Sequence, residues 1–506
     1  MPPPLPGTAA SLWLHESPVT TYPQLDGDLS VDVAVIGGGI VGLTAATLLK
    51  RAGATVAVVE AGRVARGVSG HTTAKVTSLH GLRYSALASS WSEEAARAYA
   101  ESNQAGVEEI ARLVGDARID CDFERVPAYV YAETSEGAGA VEREADAARL
   151  AGLDATLVSE VDLPFPVRTA VRLGDQAQFD PYRYLTALAR SIPGDGNHVL
   201  ERTRVLDVDE GEPCRVRTAQ GSIVAGDVVV ATLVPFLDRG GYFARSRPER
   251  SYLIAFDAER SPAIGGMYLS AEAPTRSIRT ATRDGKRLLL VGGEGHTTGQ
   301  EARAAEHVLR LERFAQERFG PGRVVNHWSS QDFASKIGVP FVGRLTPLSS
   351  RVHVATAFGK WGISAGTAAA VILSDAILRR PNLWAWLYDP NRLRPASGLA
   401  SLLGHNLGVA RRFASGRLAR PAAEPESGLE PGEGRVVRSG ARLVAVSRGS
   451  DGEVRRVSAV CPHLGCVVAW NEAEESWDCP CHGSRFDAGG NVLQGPAVEG
   501  LARAEG

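Results

Sequence analysis

The sequence predicts an α/β chain: a Rossmann-like nucleotide-binding fold with an antiparallel-sheet domain beside it, then a small all-β domain at the C-terminus. Three observations carry this expectation. Near the start, "VDVAVIGGGIVGLTAATLLKRAGATVAVVE" reads as strand, glycine turn, helix and strand. In the middle, "RSIRTATRDGKRLLLVGG" reads as two strands around Asp284-Gly285, a strong hairpin signal. At the end, "CPHLGCVVAWNEAEESWDCPCHGSRF" holds most of the cysteines, with two histidines at short offsets.

A chain of 506 residues is too long for one ordinary core, so several domains are expected. Hydrophobic content of 44% and charged content of 22% are those of a soluble globular protein. A net charge of −3 gives no reason to expect nucleic acid or an anionic membrane as partner. The opening "MPPPLPGTAASLWLHESP" has neither a charged n-region nor an apolar h-region, and no twin arginine. The most apolar long stretch, "WGISAGTAAAVILSDAIL", is interrupted by Asp375. A soluble, cytoplasmic protein is expected. Cys121 and Cys214 stand alone and read as buried, unreactive thiols.

The first element is a buried parallel strand, rich in β-branched residues. Gly37, Gly39 and Gly42 follow in GxGxxG spacing, and Ile40 and Val41 open a helix. Gly37 permits the tight turn, Gly39 the close approach of a pyrophosphate, and Gly42 close helix–strand packing. The second strand ends in Glu60, which can accept hydrogen bonds from ribose hydroxyls.

The unit alone does not separate NAD from FAD. "ARGVSGHTTAK" (65–75) follows closely, "GDVVVAT" (226–232) is a late strand, and "VHVATAFGKWGISAGTAAAVILSDAI" (352–377) is strand, glycine-rich turn and helix. In this order the segments resemble the D-amino-acid oxidase (DAO-type) superfamily of flavoproteins, over roughly residues 30–380. "QAQFDPYRYLTALA" fits that family's lead into a helix. The resemblance implies FAD, with its ADP half on the first βαβ unit. It implies contacts from Gly70, His71, Thr72 and Thr73, from Ala231 and Thr232, and from Gly359, Trp361, Gly362 and Ile363 in the late turn. Some relatives bond FAD covalently to a histidine near His71; the alternative is a histidine lining the pyrophosphate or the flavin. Where relatives often have Asp-Gly-x-Pro, "ASKIGVPFVGR" has Ile337, so no role is carried over there.

On this reading residues 1–395 form the flavoprotein region. Its FAD-binding part is discontinuous, about 30–110, 170–245 and 345–385, and the substrate sheet covers about 245–340. "RSYLIAF" and the 284–285 hairpin belong to that sheet, which in the family roofs the flavin. "GGEGHTTG" (292–299) reads as a turn after the hairpin, with Glu294 and His296 either facing substrate or solvated. His71, Glu294 and His296 are the weak catalytic candidates. Flavin chemistry needs no hydrolytic triad, and none stands out.

In the C-terminal stretch, Cys461 and His463 form C-x-H, and Cys479 and His482 form C-x-x-H. A Cys2His2 zinc site is one reading, but it leaves Cys466 and Cys481 unused. The strings "CPHLGC" and "CPCHGS" resemble the two boxes of Rieske 2Fe–2S proteins almost letter for letter. The resemblance implies Cys461 and Cys479 on one iron and His463 and His482 on the other. It implies a disulfide between Cys466 and Cys481, and a proline loop at "GPA" (495–497) over the cluster. Cytosolic disulfides are rare, so free thiols in the cell stay open. High-potential relatives place a serine and a tyrosine after the second box; here Ser484 is kept and Phe486 replaces the tyrosine. The domain is expected over 431–506, with strands in "GRVVRSGARLVAVSR" and "EVRRVSAVCP". Residues 396–430 read as a helix (397–418, with Leu399, Leu402, Leu403 and Leu407 on one face) and a Pro/Glu/Gly linker that isolates the domain.

A flavin and a 2Fe–2S cluster in one chain suit an enzyme that takes a hydride from a small-molecule substrate and exports electrons singly to a redox partner protein or other acceptor. The DAO-type half suggests a C–N bond of an amine or amino acid. Two alternatives are weighed with it. Electrons could flow from a redox partner through the cluster to the flavin, for a reduction or oxygenation. Or the chain could be a non-enzymatic redox sensor.

Overall fold

The strand Leu29–Ile36 lies parallel between Ser222–Val230 and Val56–Val59, at the centre of an eight-stranded sheet. Its inner residues and all four of Val56–Val59 are buried, as a strand covered on both faces requires. The molecule is a computed structural model that describes residues 5–260, 264–301, 303–392 and 428–504. Along the sheet the order is Phe341–Arg344, Val352–Thr356, Ser222–Val230, Leu29–Ile36, Val56–Val59 and His198–Leu200. Helix Ile40–Arg51 leaves the central strand through the glycine turn. Helix Ser364–Ile377 packs against it and against Glu93–Ala117. The approach is close: a Cβ at Gly106 would stand 2.4 Å from the Ser364 carbonyl oxygen. Helix Pro181–Ser191 starts where expected, with the Asp180 carboxylate accepting from the amides of Tyr182 and Arg183.

A ten-stranded, largely antiparallel sheet forms the second layer. Arg276–Arg283 and Lys286–Thr297 pair antiparallel around Asp284 and Gly285, which have φ of 50° and 74°. Two positive φ values fit the twist of a two-residue hairpin. Ser246–Ala258 lies between Lys286–Thr297 and Gly322–Ser335. Two expectations change here. Gly292–Thr297 continues the strand rather than forming a solvated turn; a bulge opposite Arg250–Tyr252 and positive φ at Gly293 and Glu294 absorb the irregular sequence. The sheet also extends beyond 245–340. It takes in Glu124–Ala132 and Thr169–Gln178, joined through parallel pairing of Met267–Ser270 with Glu124–Ala132.

The C-terminal region is all β, with antiparallel strands. Gly434–Ser439, Arg442–Arg448 and Val454–Ser458 form one sheet. Ala469–Asn471, Ser476–Asp478, Arg485–Asp487 and Val492–Gln494 form another. The helix expected over 397–418 lies outside the described residues. Among the described residues no helix is long and apolar enough to cross a membrane.

Candidate functional site

A cavity of about 1130 Å³ opens between the two large sheets. One part of its wall is the turn after the central strand. Gly37 has φ +115°, and a Cβ there would stand 2.4 Å from the Ala231 carbonyl oxygen. At Gly42 a Cβ would meet the Gly37 oxygen at 1.9 Å, so both positions require glycine. The following helix has no acid in its first turn and no cap from Gly39; the Ser69 hydroxyl accepts from the Ile40 amide at 3.1 Å, and the electropositive end lies toward the cavity. Glu60 accepts from the amides of Gly38 (2.8 Å) and Gly62 (2.7 Å), which orients its carboxylate at the cavity wall. Burial raises its pKa, and those amides oppose the rise. This donor set fits a dinucleotide: amides, a helix end and the Ser69 hydroxyl for the diphosphate, a carboxylate for the ribose.

His71, Thr72, Thr73, Ala231 and Thr232 line the same cavity, as do Gly39, Ile40, Val41, Trp361, Gly362 and Ile363. Gly70 and Gly359 do not line it; a Cβ at Gly70 would clash with the Ala65 oxygen at 2.3 Å, so its glycine shapes the loop. Gly359 has φ +61° and supports the late turn. His71 Nδ1 donates to the Gly67 carbonyl at 2.8 Å, which leaves Nε2 as its unprotonated nitrogen. Trp361 stacks on His80, ring centroids 4.3 Å apart. His80 is itself fixed by Tyr99, Thr77 and Ser364, and burial holds its pKa at about 3.

Glu294 and His296 line the cavity, but both are engaged. Glu294 takes hydrogen bonds from Arg276 (2.7 Å), Arg310 (2.7 Å) and His307 (3.0 Å). Burial works to raise its pKa; those partners bring it to about 2. His296 Nδ1 donates to the Thr297 carbonyl at 3.0 Å, so its Nε2 accepts from the Tyr252 hydroxyl at 3.2 Å. Among the titratable wall residues that sequence reasoning missed are Asp332 and Lys75. Asp332 is buried beneath the late turn, accepting from the Lys360 amide at 2.5 Å, and burial lifts its pKa to about 6. Lys75 donates to the Tyr268 carbonyl at 2.5 Å, and burial pushes its pKa well down. Lys75 stood in a stretch already singled out; nothing in sequence marked Asp332. The lone cysteines are buried, and burial lifts both thiols, Cys121 to about 12.

The two cysteine boxes fold as matched loops. The Cys461 amide donates to Cys466 and that of Gly465 to Cys461; likewise the Cys479 amide donates to Ser484 and that of Gly483 to Cys479. A disulfide joins Cys466 to Cys481 and so ties the loops together. Cys461 and Cys479 remain as buried free thiols. The Cys479 thiol beside it lowers the pKa of Cys461. The rings of His463 and His482 stand edge-on, 5.2 Å between centroids. Two thiols and two imidazoles on disulfide-tied loops fit a two-iron cluster with mixed ligands. Phe486 is fully buried in the same apolar cluster as Cys461 and Cys479.

This tip is covered. Phe243 of the short helix Tyr242–Arg245 packs edge-on against His463 (5.1 Å) and His482 (4.9 Å). His463 Nε2 donates to Asp238 at 3.1 Å, and its side chain is 6% exposed. Beside the tip, Gln331 donates to the Gly483 carbonyl at 2.7 Å. Fully buried Arg250 pairs with Glu474 across the junction, with Asp478 3.7 Å away. Arg485 pairs with both acids, at 2.5 and 3.0 Å, and Ser329 donates to Glu474. Burial would raise the pKa of Glu474, yet Arg250 and Arg485 hold it below the carboxylate range. The linker suggested an isolated domain; this charge cluster docks the domain on the flavoprotein region.

The profile of the DAO family, FAD dependent oxidoreductase, matches residues 32–376, and that of the Rieske [2Fe-2S] domain matches 421–505. The Bacillus subtilis (strain 168) protein YhfW, named for a Rieske 2Fe-2S iron-sulfur centre, is 34% identical over 498 residues, covering 97% of each chain. The fold is similar to that of L-proline dehydrogenase from P. horikoshii (TM-score 0.61, 18% identity, 73% of this chain and 98% of that one). It is also similar to that of glycine oxidase from Geobacillus kaustophilus (TM-score 0.58, 19% identity, 70% and 96%). FAD and a 2Fe–2S cluster are accordingly the cofactors of this oxidoreductase. The chain belongs to the DAO family of FAD-dependent oxidoreductases and carries a Rieske [2Fe-2S] domain after the flavoprotein region.

Proposed function

We propose that the enzyme oxidises a small amine or amino acid at its C–N bond and that electrons leave singly, through the Rieske cluster, to a redox partner protein or other acceptor. FAD supplies two-electron chemistry at the substrate and a 2Fe–2S cluster supplies one-electron transfer. The observation that carries the reading is the covered tip. His463 and His482 abut Phe243 of the flavoprotein region instead of facing solvent, which supports exchange within the chain. The substrate class is supported by fold similarity to enzymes named for glycine and L-proline.

The residues divide the work. Gly37, Gly39 and Glu60 hold the dinucleotide while Gly42 lets the helix pack behind the turn, and Cys461, His463, Cys479 and His482 hold the cluster. Trp361, braced by His80, and Tyr252, braced by His296, shape the cavity wall. Lys75, whose pKa burial lowers well below its usual value, is the wall group placed to exchange a proton with a substrate amine at Nζ. A screen of amines and amino acids under anaerobic conditions tests the proposal by bleaching of the flavin absorbance. At least one class should bleach it within the mixing time of turnover. Failure of every amine, with activity appearing only when reduced ferredoxin is supplied, would establish the reverse direction of electron flow.

A further inference from the structure

The cavity wall is not made by the flavoprotein region alone. Val492, Leu493, Gln494, Gly495, Ala497 and Val498, all from the cluster domain, line it together with the glycine turn and Glu60. Gly495 lies against Val234, just beyond Thr232; a Cβ there would stand 4.0 Å from Val234 Cγ1. Leu493 is one of the few large apolar side chains left outside the core, 54% exposed, and it belongs to this wall. An apolar side chain in such a place gains burial when a ligand's flat apolar surface meets it.

The loop is held from two sides. The Ala497 amide donates to the buried Ser484 hydroxyl at 3.1 Å. Gln494 is the cross-strand partner of Arg485, the residue that pairs with Glu474 and Asp478 in the interdomain charge cluster. Docking of the cluster domain therefore sets the position of the loop.

We infer that the loop 492–498 is part of the FAD-binding site, so that the Rieske domain covers the cofactor and FAD leaves only when that domain lifts. This rests on the assignment of the cavity to FAD. By linkage, FAD must also hold the domain down by the factor with which the domain holds FAD. The consequence is an enzyme whose second carrier is docked when the first is loaded.

The test uses full-chain holoenzyme and the rate of FAD release, followed by the rise of flavin fluorescence on dilution. Leu493→Ala removes apolar contact, and Leu493→Asp sets a negative charge on the wall. Because Leu493 is exposed, neither change strains the fold. Release should quicken by about tenfold in Leu493→Asp, with a smaller effect in Leu493→Ala, while the visible spectrum of the cluster is unchanged. In the wild-type protein, amide exchange of residues 490–499 should slow when FAD is added back to the apoprotein. Equal release rates in all three proteins, or exchange at 490–499 that ignores FAD, would overturn the inference. A wild-type protein that takes up no FAD would instead overturn the assignment of the cavity, a separate failure visible in the absorbance alone.

Discussion

Replacing Arg250 by Met should release the Rieske domain from its dock. Arg250 is fully buried, and with Arg485 it faces the buried acid Asp478 and the partly buried acid Glu474, so the cluster is balanced at two charges of each sign. The substitution keeps the volume and leaves two carboxylates with one guanidinium. Breaking a buried ion pair by removing one partner costs about 3–5 kcal/mol. Since each 1.36 kcal/mol is tenfold, the undocked population should rise by roughly two to four decades. Hydrogen exchange of residues 246–252 and 472–487 in the full-chain holoenzyme reads that population. Both segments should exchange faster by a factor of that order, while the strands around Leu29–Ile36 stay protected. Adding Glu474→Gln restores charge balance around Arg485 and Asp478, so the double variant should recover part of the loss. Unchanged exchange in Arg250→Met, or a double variant as perturbed as the two single ones summed, would refute the reasoning.

Three further outcomes are expected. Phe486→Tyr should raise the cluster potential, since a hydrogen bond to a charged group is worth ~1.5–3 kcal/mol, or roughly 60–130 mV for one electron; an unchanged potential in protein-film voltammetry would show that residue 486 does not reach the cluster sulfurs. Asp332 has its folded pKa raised from 3.8 to about 6, so its neutral form favours folding; that stability is full below the unfolded value and is lost as pH climbs to about 6. Asp332→Asn should therefore flatten the Tm profile between these limits, and parallel profiles for the two proteins would contradict the assignment. Acid precipitation should leave all the yellow colour in the supernatant, because the residues around His71 match those of the covalently bonded relatives poorly; colour retained in the pellet and lost in His71→Ala would show a covalent bond, made at the Nε2 that the Nδ1–Gly67 hydrogen bond leaves unprotonated.

The parts of the site that were legible in sequence are those that chemistry confines to short spans. The glycine turn, Glu60 and the two cysteine boxes are local patterns, and each has a geometric reason for its spacing. The 284–285 hairpin was legible because two-residue turns demand residues that accept positive φ. What stayed hidden is long-range. Arg250 and Glu474 are separated by most of the substrate sheet and the linker, and neither residue carries a local mark. Likewise Phe243 and Asp238 read as ordinary loop and helix residues until the fold brings His463 and His482 onto them. Gly292–Thr297 misled because its three glycines are turn formers. A bulge and the pairing with Ser246–Ala258, joined at Gly292 and Gly293 by pairing with Arg276–Arg283, keep it in the sheet. The second sheet outgrew its expected range for the same reason: pairing of Glu124–Ala132 with Met267–Ser270 is parallel and distant in sequence.

The central claim is that the flavin and the cluster of one docked chain exchange electrons directly. Anaerobic photoreduction of the flavin, followed by electron paramagnetic resonance of the cluster, tests it most directly once both potentials are known to permit transfer. The cluster signal should appear promptly, at a rate independent of protein concentration, and Arg250→Met should slow its appearance. A cluster that stays oxidised beside fully reduced flavin, or one whose reduction rate scales with protein concentration, would contradict it.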